Sequence, residues 1–301
     1  MTSPRLLIIG ANGFLGQHLS NAACCFEVFE ADLAAPRGER GLEMDVSMDV
    51  TSAASVDAAF RNVRPDVAVL LAAVSDIDKC EQHPEMAEAV NVCGAIHVAE
   101  ACARTNARMV FTSSAAVFDG TRHGYTERDA PTPLSVYGRT KARAEELILA
   151  KLPNALILRL ALAIGFAEGS ETNAMLNRFA AKLEAGESVW LPDFEYRNPI
   201  DAVTFSSLLL ELLGADGAAG VFHVGATQAI SRFELGVKLA ERMGFSPQLV
   251  QAQTEPVPGR APRGLDHFLI TSKLSEVCRT PVPSCDEVIE RALHATTQSN
   301  S

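Results

Sequence analysis

The stretch Arg5-Leu-Leu-Ile-Ile-Gly10-Ala-Asn-Gly13-Phe-Leu-Gly16 decides the fold. Its apolar run ends in glycine and suits a strand buried on both faces. Residues 16–23 then read as a helix. Each of the three glycines has its own use. Gly10 permits the tight turn, Gly13 lets the backbone approach a pyrophosphate, and Gly16 lets helix and strand pack closely. The helix N-terminus would face phosphate with free N–H groups. The spacing is GxxGxxG rather than GxGxxG, and a plain glycine turn is the alternative. The strand-turn-helix context favours a dinucleotide site.

Outward from this turn, strand and helix patterns alternate. Residues 26–31, 67–73, 109–112 and 155–160 read as strands, and 56–62, 84–105 and 136–150 as helices. Such alternation implies right-handed βαβ units and a parallel sheet with helices on both faces. The expected fold is α/β, a Rossmann-type doubly wound sheet over 1–165 that also receives about 194–224. The second half is less regular, with proline and glycine clustered at 192–199 and 256–264. It still shows a strand at 222–225 and a helix at 231–243 capped by Ser231. A smaller α/β substrate lobe over 166–301 is expected, walling a cleft at the sheet's C-terminal edge.

Composition narrows the function. The 301 residues are 48% hydrophobic and 21% charged, an ordinary globular balance that argues against disorder. Lys plus Arg is 26 against 37 for Asp plus Glu, a net charge of −11. An acidic body repels nucleic-acid backbones and gives no polybasic handle for membranes. The apolar run at 208–213 is broken by Glu211 and reads as a buried helix face, not a membrane span. Seven scattered cysteines form no CxxC pair, so neither zinc nor redox chemistry is suggested. Reduced thiols and the lack of a signal-peptide pattern point to the cytoplasm.

Three further features carry chemistry. Asp32 ends the second strand about 20 residues beyond Gly10, where an acid accepts the adenosine ribose hydroxyls of NAD. Arg37 and Arg40 follow and could serve NADP, so the cofactor is NAD(P)H with a lean to NADH. Tyr137-Gly-Arg-Thr-Lys141 is a YxxxK on a helix, which puts both side chains on one face. A nearby ammonium favours the phenolate and would lower the tyrosine pKa toward neutrality. Such a tyrosine can pass a proton to or from a carbonyl or alcohol oxygen. Thr112-Ser113-Ser114 ends the fourth strand, where open parallel sheets place ligands, and a hydroxyl there could hold the substrate oxygen.

These residues together resemble the extended short-chain dehydrogenase/reductases, and within them the dTDP-4-dehydrorhamnose reductase family. The glycine turn, Arg64-Pro65-Asp66-Val67, and Ala72-Ala73-Val-Ser75-Asp-Ile-Asp78-Lys79-Cys-Glu81 carry the resemblance. So do Val117-Phe118-Asp119-Gly120, Tyr125-Thr-Glu127, Pro131-Thr-Pro133, Tyr137 to Lys141, Arg260-Ala-Pro-Arg-Gly-Leu265 and Lys273-Leu274. It spans nearly the whole chain and weakens after Gly165.

The resemblance implies an NAD(P)H-dependent reductase of a nucleotide-linked 4-keto-6-deoxysugar. Tyr137 would protonate the 4-keto oxygen, Lys141 would hold the nicotinamide ribose, and Ser114 would be the catalytic hydroxyl. Gly10, Asn12, Gly13, Phe14, Leu15, Gly16, Asp32, Asp49, Val50, Leu71, Ala72, Ala73 and Ser75 would join Tyr137 and Lys141 in lining the cofactor path. Ser114, Tyr137, Asn173, Arg197 and Arg263 would meet the nucleotide sugar; a diphosphate needs forked cationic donors such as arginine. Asn91 falls at a common structural asparagine, with a helix-surface amide as the alternative.

The chain also departs from the family. Ser114-Ala115-Ala116 stands where Thr-Asp-Tyr is usual, which counts against 4,6-dehydratases with an acidic pair there. Gln17 and His18 replace a glutamate that binds magnesium in some members, so no metal is expected. The aspartate expected shortly after Pro199 is out of place, with Asp201 early and Thr204 at its position. Trp190, in an alternating run, is expected in the core. A nucleotide-sugar epimerase on the same scaffold and a non-catalytic regulatory subunit are the competing readings. A homodimer would be the usual assembly.

Overall fold

The computed structural model describes residues 3–33, 46–168 and 174–294. The first half contains β1 (Arg5–Ile9), α1 (Phe14–Ala22), β2 (Glu27–Asp32), β3 (Val46–Ser47), α2 (Ala53–Val63) and β4 (Val67–Leu70). It continues with α3 (Ile77–Gln82), α4 (Pro84–Glu88), α5 (Gly94–Thr105), β5 (Arg108–Ser114), α6 (Val136–Lys151) and β6 (Leu156–Leu160). Next come β7 (Leu162–Ile164), α7 (Met175–Glu184), β8 (Val189–Pro192), β9 (Tyr196–Arg197), β10 (Pro199–Asp201), α8 (Ala202–Gly214) and β11 (Gly220–Val224). The last are β12 (Ile230–Ser231), α9 (Arg232–Arg242), β13 (Val250–Gln253), β14 (Asp266–His267), α10 (Ser272–Val277) and α11 (Cys285–His294).

Seven strands form one sheet in the order β11-β6-β5-β4-β1-β2-β3, with every pairing parallel. The continuous apolar runs become its central strands because helices bury both faces. Leu7, Ile9, Phe60, Phe111 and Ile148 pack on one side with residues of α2, α5 and α6. Leu6, Ile8, Leu158, Phe205, Leu209 and Phe222 pack on the other with α1 and α8. The run at 208–213 is thus a buried helix face. Strand order reverses between β1 and β4, and a crevice opens beyond their C-terminal ends. A separate cluster of Leu176, Phe179, Leu235, Leu239, Val288 and Ile289 holds the later elements together.

Short polar side chains start several of the helices. Ser52, Ser135 and Ser231 accept from backbone N–H groups of α2, α6 and α9. Asp201 does the same for α8, accepting from the Thr204 N–H at 2.7 Å. The aspartate read as misplaced is therefore a working N-cap, fixed by the turn from β10 into α8. The helix read over 84–105 is continuous through α4 and α5 but contains one π turn, Ala89–Cys93.

Trp190 corrects an expectation. It is 63% exposed, while Val189 beside it is buried. Alternation along a strand separates neighbours to opposite faces but does not say which face is covered. Here β8 pairs with β13, and α7 and α9 pack against β8 so that Val189 is inward.

The turn that begins the fold has no room to spare. A Cβ on Gly16 would stand 2.4 Å from the Gly10 carbonyl oxygen and 2.7 Å from that of Ala11. Both are backbone atoms, so the helix itself would have to move. Gly16→Ala is expected to lose about 1–3 kcal/mol, the usual range for overpacking. Chemical denaturation would measure this, and an unchanged midpoint would contradict the close-packing role.

Candidate active site

The glycine turn leaves the start of α1 without a side-chain cap. Gly10 has φ +91, and a Cβ there would meet the Ala72 nitrogen at 2.6 Å. Gly13 caps α1 with no side-chain hydrogen bond, and the first turn carries no acidic residue. A Cβ on Gly13 would meet only the Gly10 oxygen, at 3.1 Å, within 4 Å. The N-terminus of α1 therefore lies open to the crevice, with its donors and dipole directed outward. These features fit a pyrophosphate. Asp32 accepts from the Asn12 N–H at 3.0 Å and the Leu33 N–H at 2.8 Å, so its carboxylate also braces the turn. Arg37 and Arg40 lie outside the described residues.

The other expected cofactor residues share this crevice. Leu15, Asp49, Val50, Leu71, Ala72, Ala73 and Ser75 line it with the turn. Phe14 is largely buried, and its ring sits where a Cβ on Gly165 would meet it at 2.8 Å. Val50 is held by its carbonyl, which contacts His97 Nδ1 at 2.9 Å. Ser113 also lines the crevice, and its Oγ is buried with no hydrogen-bond partner.

Ser114, Tyr137 and Lys141 meet where β5 ends. Gly138 makes this possible, because a Cβ there would stand 2.1 Å from the Ala116 oxygen. The first turn of α6 can thus press against the chain leaving β5. Ser114 lies beside the Tyr137 phenol and lowers its pKa, and Ser114 Oγ accepts from the Ala116 N–H at 3.1 Å. Lys141 is buried and donates from Nζ to the Thr112 carbonyl at 2.9 Å, over the Phe111 ring.

The electrostatics differ from the simple expectation. Burial pushes the Tyr137 phenol up to about 12, and the neighbouring Ser114 only partly opposes this. Burial also pulls Lys141 down to about 8, against the pull of Glu145 in the other direction. The expected lowering of the tyrosine by its lysine is overturned: burial dominates, and what opposes it is Ser114, not the ammonium. The free protein therefore holds a protonated tyrosine at neutral pH, as a proton donor requires.

Asn91 is buried rather than on a helix surface. It lies in the π turn, accepts from the Val74 N–H at 2.8 Å and donates to the Val74 carbonyl at 3.1 Å and Thr140 Oγ1 at 3.2 Å. It joins the loop after β4 to α6, and π turns often sit at functional sites.

The crevice widens into a cleft of about 2080 Å³. Ordinary small-molecule sites enclose about 300–1,000 Å³, so there is room for a dinucleotide and a second ligand. Its far wall carries Arg197, Arg232, Arg260 and Arg263. Arg197 differs from the free donor expected. Its guanidinium goes to the carbonyls of Tyr196 at 2.6 Å, Leu265 at 3.2 Å and Gly264 at 3.0 Å, so it braces the wall. Arg263 is forked onto Asp78. Arg260 reaches Glu195 at 3.4 Å. Arg232 touches Met175 Sδ at 3.6 Å, and burial lowers its pKa. Sequence reading missed Arg232, which follows a cap and looks like a helix-surface residue. Asn173 lies outside the described residues.

Gln17 and His18 turn to backbone carbonyls, of Asn12 and Glu168 for Gln17 and of Phe166 for His18. Among the described residues, no three His, Cys, Asp or Glu side chains gather as a metal would need. Nor is any described helix long and apolar enough to cross a membrane.

Comparison with known proteins agrees with this geometry. A dTDP-4-dehydrorhamnose reductase of Mycobacterium tuberculosis is 31% identical over 99% of this chain and 95% of its own length. A methionine adenosyltransferase 2 subunit beta of Xenopus tropicalis is 26% identical over 91% of this chain and 82% of its own. The crystal structure of dTDP-4-dehydrorhamnose reductase from Bacillus anthracis in complex with NADP superposes with a TM-score of 0.86. It is 22% identical and covers 98% of this chain and 100% of that one. With the RmlD substrate binding domain matched over residues 4–298, the chain belongs to that family.

Proposed function

We propose that the protein is an NAD(P)H-dependent reductase of a nucleotide-linked 4-keto-6-deoxysugar. The observation that carries this reading is the convergence of Ser114, Tyr137 and buried Lys141 on one cleft with an arginine-rich wall. The dTDP-4-dehydrorhamnose reductases among its relatives support the substrate class. A nicotinamide dinucleotide, when bound, supplies the hydride. The open start of α1 would take its pyrophosphate, and Ser113 and Lys141 would meet its nearer half. Asp32 would accept ribose hydroxyls and disfavour a 2′-phosphate, so NADH is the proposed reductant. A cytoplasmic setting is part of the proposal, supported by seven cysteines that are all free thiols.

The chain's own residues would act in turn. Ser114 holds the keto oxygen with Tyr137. Tyr137 gives its phenolic proton to that oxygen as the carbonyl becomes an alcohol. The resulting phenolate is stabilised by the Lys141 ammonium, and reprotonation resets the site. Arg260, Arg263 and Arg232 supply positive charge for the diphosphate, with Arg197 supporting them from behind.

Purified protein mixed with dTDP-4-keto-6-deoxyglucose and NADH or NADPH should oxidise the cofactor. Absence of oxidation with every nucleotide sugar tried would sink the reductase reading. An epimerase would interconvert sugars with no net oxidation, and a regulatory subunit would bind dinucleotide without turnover. Tyr137→Phe should reduce turnover by about 10²–10⁴-fold while dinucleotide affinity persists. Unchanged turnover would show that the proton comes from elsewhere.

The pH dependence has a definite sign. Lys141, lowered to about 8, loses its charge as pH rises past that value, whereas Tyr137 remains protonated to about 12. The rate of reduction should therefore fall on an alkaline limb near pH 8. A profile set only by a group near pH 12 would exclude Lys141 as the charge that matters.

A further inference from the structure

The cleft is bridged by one carboxylate that the reaction does not use. Asp78 lies in the first turn of α3, just after the loop from β4. Its Oδ1 accepts from the Ala261 N–H at 2.8 Å and from Arg263 Nη1 at 3.1 Å. Its Oδ2 accepts from Arg263 Nη2 at 2.7 Å. This is a forked, charge-assisted contact across 185 residues of sequence. Arg263 also folds back and donates to the Ala261 carbonyl at 3.0 Å. Asp78 therefore holds both the backbone and the guanidinium of this wall segment.

The approach to the segment is exposed, with Val257 half exposed. The exit is closely packed. A Cβ on Gly264 would stand 2.4 Å from His267 Nε2 and 2.5 Å from the Asp119 oxygen. The wall is thus anchored at Gly264 by packing and at Ala261 and Arg263 by Asp78.

The same short helix grips the catalytic side. Glu81 Oε2, three residues on, accepts from the Val136 N–H at 2.9 Å, at the first residue of α6. Cys80 between them donates from its buried thiol to the Val74 carbonyl at 3.2 Å. One rigid turn and a half of helix consequently touches the arginine wall through Asp78 and the start of the Tyr137 helix through Glu81.

We propose that Asp78 is a positioning residue that sets the Arg260–Arg263 wall in register with Tyr137, so that a bound nucleoside diphosphate places its sugar at the phenol. The part of this inference that concerns substrate rests on the reductase reading. Asp78 acts through Arg263 and the Ala261 amide. A looser wall would cost binding of the diphosphate more than the proton-transfer step.

Asp78→Asn keeps the shape and removes the charge. Three measurements decide the matter: hydrogen exchange at the Ala261 amide, dTDP affinity by calorimetry, and KM against kcat for the sugar substrate. Exchange at Ala261 should quicken at least about tenfold, and dTDP should bind about tenfold more weakly. The loss should fall on KM rather than kcat, with dinucleotide affinity unchanged. Arg263→Lys keeps the positive charge but loses the fork. It should weaken dTDP binding similarly, and the double variant should be no worse than either single one. This second route decides the question if Asp78→Asn does not fold. Unchanged Ala261 exchange, or unchanged dTDP affinity in either variant, overturns the role. A loss of thermal stability with wild-type KM also overturns it. If the wild-type protein neither binds dTDP nor reduces the sugar, the reductase reading fails first, and the substrate role of Asp78 fails with it. If the wild-type protein does both and the variants match it, only the Asp78 inference fails.

Discussion

The absence of a side chain at Gly16 is the constraint on which the rest depends. Helix α1 must cross so near β1 that the Gly10 and Ala11 carbonyls occupy the space of a Cβ. That approach brings the open end of α1 to the point where strand order reverses between β1 and β4. The crevice, its positive pole and its position relative to β5 all follow. An acidic chain can hold a polyanion there because the field is local, made by oriented N–H groups and a few buried cations.

A second constraint is the burial of charge behind the candidate catalytic residues. Lys141 sits away from water with a carbonyl and an aromatic ring for company. One helical turn further on, Glu145 is buried and accepts a forked contact from Arg159, at 2.9 Å from Nε. Arg159 in turn lies over Phe118, which stacks on Tyr125 at 4.2 Å. His223 completes the group, kept neutral by burial and by Arg159, with its pKa pulled down to about 3. Such charges are tolerable only when paired and hydrogen-bonded. This arrangement ties α6, β6 and β11 to the Val117–Gly120 loop that borders the cleft.

Reading the residues reached a good part of this because much of it is local. The glycine turn, the Tyr137–Lys141 spacing and the Ser231 cap each lie within a few residues, and short-range geometry dictates their conformation. Trp190 shows where that ends. Its alternation identified a strand, but the covered face depends on helices distant in sequence. Asn91 was ambiguous for the same reason, since a helix position gives no hint that the loop at Val74 will lie against it.

By itself, the sequence determined the α/β alternation, the phosphate-ready turn and the placing of a tyrosine and a lysine on one helix face, because backbone sterics and helix periodicity act over short distances. Only the tertiary structure decided the charge states and partners. Desolvation set Tyr137 and Lys141 against the simple pairing rule, and burial depth is a property of the packed whole. The forked contact of Asp78 with Arg263 and the capture of Arg197 by the Gly264 and Leu265 carbonyls join residues far apart in the chain. No local rule links such residues; folding brings them together because a buried donor or carboxylate must find a partner.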